Sequence, residues 1–452
     1  MKILLLLIYR FFGRILNILN KFFNASKLRH LREIVDAKAE YLEDMSSETT
    51  SSIAFDATKG YIFRPYEIKR IKYKSYIKNG RSRPYARSGH RIVCDDSNIY
   101  CFGGFNPNMT EVNDDDDDAS CLFQELWKFD VIKREWHLIM GPNNDLPQEL
   151  ASNAMLLQGD TLVVYGGTGF PFGVNCSNKV YFCQPGRKPK TMTEIEIKGD
   201  IPPAQYGQAI LYHDGFLYTI GGTDGFDYTC DVYRLNLLSK TWECVYICRQ
   251  DIRDDPSGRY RHEIAFDNGK IYVLGGGTSD SAFSLATIPT YDIKQNVWTY
   301  TATKPDPKLP LPGVPSARKC YSCVQHKTEY GTEVVIAGGT DGRSYYKDIW
   351  KLNLNSFEWR LMQKSTLPYP LFFHDAASNN EGCMYIFGGI KFSFNNNVRT
   401  NVVYKMWTAI PKLSEISWEA ILHYWSGLSK QSRQQLLEMG IPAKFVQRVH
   451  KI

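Results

Sequence analysis

Apolar residues in this chain come in short runs, and six of the runs stop on a glycine pair. They are IYCFGG (ending at Gly104), LVVYGG (Gly167), LYTIGG (Gly222), IYVLGG (Gly276), VVIAGG (Gly339) and MYIFGG (Gly389), spaced 50 to 63 residues apart. A short apolar run bounded by glycine reads as a strand buried on both faces. A second pattern follows four of the pairs: WKFDVIKREW, YRLNLLSKTW, PTYDIKQNVW and WKLNLNSFEW. In each, an Asp or Asn (Asp130, Asn236, Asp292, Asn353) stands six residues before a Trp (Trp136, Trp242, Trp298, Trp359). A turn-favouring side chain between two apolar stretches predicts a hairpin, with the Trp filling a gap between sheets. A third signal comes earlier in each repeat. His90, Asn153, Gln208 and His262 each lie thirteen residues before one of the first four pairs, in a further predicted strand.

The period changes at residue 411. In PKLSEISWEAILHYW, Leu413, Ser417 and Ile421 recur every four residues, as on one face of a helix. LSKQSRQQLLEMG predicts a second helix. Ser429 or Ser432 would cap it, Gln435 would complete a capping box with Ser432, and Gly440 would lie just past its end. Pro442 suits the first turn of a third helix.

Six repeats near this period resemble the kelch repeat, in which each repeat is one four-stranded blade of a β-propeller. The expected fold is all-β: a six-bladed kelch β-propeller over 59–410, followed by a small C-terminal α-helical box over 411–452. After Gly389 the sequence NVVYKMWTAIP supplies one strand but no Asp-to-Trp hairpin, so the sixth blade is a strand short. The unused β-like segment, Tyr61 to Ile77, is expected to close the ring as an N-terminal strand.

Charge adds little to this picture. The net charge is +6, and eleven basic residues lie between Lys59 and Arg91 with Glu67 alone opposing them. Such a stretch can bind nucleic acid or anionic lipid, but interleaved apolar residues read it as a solvated strand edge, so no nucleic-acid partner is expected. Eleven scattered cysteines, mostly inside apolar runs, fit free thiols in a reducing compartment, the cytoplasm and nucleus. Residues 1–58 separate from the rest. Residues 1–24 read as an interfacial amphipathic helix that could touch a membrane, as a dispensable extension or as a signal peptide, and 44–52 as linker. The acidic run at 113–120 lacks the alternation of a calcium loop and reads as a solvated loop.

No nucleophile–base pair, phosphate loop or chelating histidine pair is present, so no catalytic residue, metal or cofactor is expected. Some kelch propellers are copper oxidases, but His90 and His262 occupy equivalent repeat positions and suggest packing. Arg87, Arg259 and Arg318 begin equivalent strands of three blades, near the expected channel mouth. Guanidiniums there would trap a carboxylate, unless they pair with an acid of a neighbouring blade. Tyr206 and Tyr260, in the same turns, would supply flat walls.

The tail carries a second resemblance. Leu413, Ser417 and Ile421 resemble an elongin-binding box, and Ile441-Pro442 with Phe445-Val446 resembles the cullin-2 box downstream of it. Propeller and tail together resemble the kelch-repeat substrate receptors of cullin-2–elongin B/C ubiquitin ligases. That resemblance implies a non-catalytic adaptor. Its partners would be elongin B/C through Leu413, Ser417 and Ile421, cullin-2 through Ile441 and Pro442, and substrates ending in glycine. Arg87, Arg259 and Arg318 would hold the terminal carboxylate. The alternative is a kelch scaffold in signalling or cytoskeletal binding without a ligase role.

Overall fold

The computed structural model describes residues 60–73, 82–111, 121–142, 146–188, 190–249, 252, 254–394 and 396–450. The expectations for 1–24, 44–52 and the acidic run fall outside them. The chain divides into two compact units: Arg64–Ile410, and a second whose described residues are 60–63 and 411–450.

The first unit is built from antiparallel sheets that follow the sequence repeat. Among the described residues, six sheets have four strands of their own, and a short parallel strand, Lys198–Gly199, adds to the third. Their first strands are Arg91–Cys94, Ala154–Gln158, Ala209–His213, Glu263–Asp267, Ser322–Thr328 and Asp375–Ser378. Each neighbours the next, and the last lies beside the first. The sixth sheet takes its fourth strand from the N-terminal side. Lys69–Ile71 pairs antiparallel with Val403–Trp407, Arg70 lying opposite Tyr404. This strand is far shorter than the Tyr61–Ile77 segment read from the sequence. A turn at Pro65-Tyr66 precedes it, with Tyr66 at φ +65°.

The glycine pairs earn their place through close approach. The second glycine of each pair donates its N–H to a carbonyl at one repeat position of the next sheet: Leu150, Gln205, Arg259, Arg318 and Leu371, at 2.8–3.0 Å. The sixth, Gly389, donates to Arg87 of the first sheet at 2.8 Å. A Cβ on Gly103 would sit 2.2 Å from the Leu150 carbonyl oxygen, and its φ of +66° already favours glycine.

The Asp/Asn-to-Trp hairpins behave as their spacing suggests. Asp130 Oδ1 accepts from the N–H groups of Ile132 and Lys133, and Asn236, Asp292 and Asn353 do the same at their own turns. Four residues after each, a side-chain-bearing residue takes positive φ: Arg134, Lys240, Asn296 and Phe357. The Trp residues are buried between sheets. Trp242 packs with Tyr165 and Val163 of the second sheet, and Trp359 with Leu274 and Leu285 of the fourth.

The described residues of the second unit form three α-helices: α1 (Leu413–Tyr424), α2 (Arg433–Glu438) and α3 (Ala443–Val449). The capping box of α2 pairs Ser432 with Gln435, and Gly440 follows the helix at φ +81°. Trp418 stacks on Phe445, with ring centroids 4.8 Å apart. Buried Glu415 accepts from Arg448 (2.6 Å) and Lys444 (3.1 Å), and these partners outweigh burial and lower its pKa. The Tyr61 N–H donates to Tyr424 Oη at 2.7 Å. No described helix is long and apolar enough to cross a membrane.

Candidate functional site at the mouth of the ring

One residue per sheet forms the innermost circle of the first unit. Gly89, Ser152, Gly207, Arg261, Cys320 and Phe373 all have φ between +53° and +69°. Their backbones bond in sequence around the circle: Ser152 N–H to Gly89 O, Gly207 to Ser152, Arg261 to Gly207, Cys320 to Arg261 and Phe373 to Cys320. Gly89 N–H to Phe373 O completes it at 3.1 Å. Left-handed backbone costs a residue with a Cβ about 1–2 kcal/mol. The two glycines suit the position, whereas Ser152, Arg261, Cys320 and Phe373 occupy it at a cost.

A cavity of ≈ 150 Å³ opens on this circle. Its lining includes Ser88, Gly89, Ser152, Phe105, Phe172, Tyr206, Tyr260, Phe373, Arg261 and Arg399. Tyr206 and Tyr260 meet edge to face, 6.1 Å apart. Phe170 stacks on Phe105 and Phe172 meets it edge-on, which gives one side an aromatic wall. Two guanidiniums face this space. Arg261 donates through Nη2 to Ser152 Oγ and lies over the Phe373 ring at 4.7 Å, while its Nε is buried without a hydrogen-bond partner. Arg399 arrives from a small satellite sheet (Leu371–Phe372, Ile390–Lys391, Val398–Arg399). Its Nε donates to Ser88 Oγ (2.9 Å) and Phe105 O (3.1 Å). Among the described residues neither arginine forms an ion pair with a carboxylate. Burial lowers the pKa of both, as expected for cations short of an anion.

The three arginines named from the sequence do not reach this cavity. Arg87 and Arg318 are 0% exposed and Arg259 is 4% exposed. Each guanidinium turns back under its own glycine pair. Nη1 donates to the first glycine's carbonyl (Gly103 at 2.8 Å, Gly275 at 3.1 Å, Gly338 at 2.9 Å). Nε donates to the carbonyl two residues upstream: Tyr85, Ser257 and Ser316, each at 3.0 Å. Arg87 also pairs with Glu125, and Arg318 with Asp348. The three arginines do not begin the strands, which start four residues later at Arg91, Glu263 and Ser322; the carbonyl beside a glycine pair needs a donor, and these side chains supply it. The signal that would have found Arg261 was present in the sequence. In GRYRH it stands where ARSGH has Gly89, a bulky residue at a glycine position.

Below the circle the channel is filled. His90 and His262 hydrogen-bond through Nε2 to Phe387 O (3.2 Å) and Ile220 O (3.1 Å) of the preceding sheets. Gln208 Nε2 makes the equivalent bond to Tyr165 O at 3.1 Å. Burial holds His262 and His374 down at about 3. Next, Arg91 spans the axis to Glu263 (3.0 Å) and Asp375 (3.2 Å), and burial raises both carboxyls despite the guanidinium. Among the described residues no three His, Cys, Asp or Glu side chains gather as a metal site.

In the tail, the Leu413 side chain is 44% exposed, and Ser417 and Ile421 are half-buried. Ile441 is buried, and Pro442 is exposed at the N-terminus of α3.

Sheets of this repeat around an arginine-lined mouth define a kelch-repeat β-propeller protein. Residues 66–276 match the family model of the KLHDC2/KLHL20/DRC7 kelch-repeats domain, and residues 217–424 that of the attractin/LZTR1 β-propeller. The chain is 44% identical over 418 residues to the kelch domain-containing protein 10 homolog of Drosophila melanogaster, covering 90% of this chain and 68% of that one. It is 41% identical to kelch domain-containing protein 10 of Xenopus laevis (83% of this chain, 88% of the relative) and of Homo sapiens (84% and 83%). The chain belongs to the kelch domain-containing protein 10 family.

Proposed function

We propose that this protein is the substrate-recognition subunit of a cullin-2–elongin B/C ubiquitin ligase and binds protein C-termini ending in glycine at the mouth of its propeller. The observation that carries this reading is the pair Arg261 and Arg399, two guanidiniums without a carboxylate partner beside a small aromatic-walled cavity. A terminal carboxylate supplies the missing anion, and charge-assisted bonds to it are worth about 1.5–3 kcal/mol each. A cavity of ≈ 150 Å³ floored by backbone favours a last residue without a Cβ. Tyr206 and Tyr260 flank the last peptide unit. The adaptor role rests on the tail, where Leu413, Ser417 and Ile421 would engage elongin and exposed Pro442, next to buried Ile441, would engage cullin-2. Ubiquitin transfer would belong to other subunits, so this chain needs no catalytic residue, metal or cofactor.

The test is a binding titration with a fluorescent peptide ending in free glycine and with its C-terminal amide. The free acid is expected to bind at least about tenfold tighter, the equivalent of one charge-assisted bond. Arg261→Ala should remove that difference. Equal affinity for acid and amide would overturn the carboxylate trap.

A further inference from the structure

Three of the repeat's arginines share one pose, but only two have an acid in it. Arg87 faces Glu125 and Arg318 faces Asp348. The corresponding residue in the strand Thr287–Asp292 is Thr287, and Arg259 forms no ion pair with a carboxylate among the described residues. Its guanidinium rests over Phe283 and bonds Gly275 O and Ser257 O. A buried cation demands an anion or an equivalent dipole. The Cys230 thiol, completely buried in the neighbouring strand Tyr228–Asn236, lies within reach of this charge.

Cys230 does not stand alone. Val232 pairs with Tyr246, the last residue of the strand Thr241–Tyr246, and Cys248 lies two residues past that pair, its sulfur beside the Cys230 backbone. Adjacent antiparallel strands bring Cα atoms about 4.5–5.5 Å apart, within the span of a disulfide. The backbone there is held: Cys248 N–H donates to Asp231 Oδ1 at 2.8 Å, and Cys248 Sγ lies 3.1 Å from Cys230 O. Both thiols are free, and Cys248 is half-buried where Cys230 is sealed. Burial pushes the Cys230 thiol up, but the hydrogen bond from Cys248 and the Arg259 charge outweigh it and lower it overall. Cys248, as the donor in that bond, is raised.

We propose that Cys230 and Cys248 form a peroxide-oxidisable dithiol, with Arg259 as the fixed charge that makes it reactive. The Cys230 sulfur, as the thiolate held under the Arg259 charge, attacks one oxygen of hydrogen peroxide that enters past half-buried Cys248. The O–O bond breaks, the departing hydroxide takes up a proton and leaves as water, and Cys230 becomes a sulfenic acid. The Cys248 sulfur then attacks the Cys230 sulfur, and the sulfenic hydroxyl departs as water with the Cys248 proton. In sum, two thiols and one hydrogen peroxide give one disulfide and two waters, with two electrons passing from sulfur to oxygen. The site is independent of the peptide-binding reading.

The test treats the full chain with hydrogen peroxide, blocks residual thiols with N-ethylmaleimide, and maps disulfides by non-reducing tryptic mass spectrometry. A Cys244→Ser background leaves Cys248 as the sole thiol of peptide 241–249. The expected result is a Cys230–Cys248 link that forms before other cysteines are consumed, reverses with dithiothreitol, and is absent in Cys248→Ser. Arg259→Gln should slow its formation about tenfold, one pKa unit in thiolate fraction, and Arg259→Lys should restore most of the rate. If folding of the Arg259 variants is impaired, the unmodified arginine with and without Cys248→Ser still decides the matter. Full alkylation of Cys230 and Cys248 after peroxide, while other cysteines are oxidised, would overturn the proposal.

Discussion

Arg261 concentrates two penalties in one residue. Its backbone sits at φ +53° and its Nε is buried without a partner. Such costs persist where function requires them. Arg261→Gly is therefore expected to raise stability by about 1 kcal/mol, through relief of left-handed strain, while abolishing peptide binding. Urea unfolding and peptide titration on the same preparation check both halves. The buried histidines give a second expectation at this scale. The folded protein keeps His262 neutral down to about 3, whereas the unfolded chain protonates it near 6.5. The stability it carries is full above pH 6.5 and is lost as pH falls toward 3, by about 2 kcal/mol at pH 5. His262→Gln preserves the inter-sheet bond in the form Gln208 already uses. It should flatten that part of the pH profile, as seen by comparing urea midpoints at pH 7.5 and pH 5. Single residues were also where the sequence reading slipped. Arg87, Arg259 and Arg318 share one repeat position, but they precede the first strands of their sheets by four residues, and side-chain direction is invisible in spacing; the glycine carbonyls draw them inward.

The elements were far more legible, because each rests on local chemistry. Glycine pairs, Asx turns and buried Trp residues announce themselves in a period, and the Ser432–Gln435 capping box could be read from two letters three apart. What could not be read was the satellite sheet that delivers Arg399. Its strands are two residues long and carry no periodicity. The N-terminal strand was visible as unused β-like sequence, but its three-residue extent depends on pairing with Val403–Trp407. Deleting residues 64–73 should expose that edge and the adjoining core, lowering the thermal midpoint by several degrees in differential scanning fluorimetry. In α1, the exposed Leu413 is expected to be an anchor for a partner helix. Leu413→Arg should abolish co-purification of elongin B/C and cullin-2 and leave peptide affinity unchanged.

At the scale of the whole molecule, the repeat explains both the fold and the exceptions that make a site. Each sheet offers the same six-fold positions, and function gathers where a repeat departs from its consensus: Arg261 for glycine at the mouth, a thiol for a carboxylate beside Arg259. A sequence reading that averages over repeats finds the propeller and overlooks the departures. The proposed function further requires one chain to join two activities, recognition at the mouth and docking by the tail. The most direct measurement is the half-life, in cells, of a fluorescent reporter ending in glycine, co-expressed with this protein or its variants. The account predicts that the intact protein shortens the half-life, that an added C-terminal Asp restores it, and that Arg261→Ala and Leu413→Arg each abolish the effect by separate routes. Undiminished turnover with either variant, or equal turnover of the Asp-capped reporter, would contradict it.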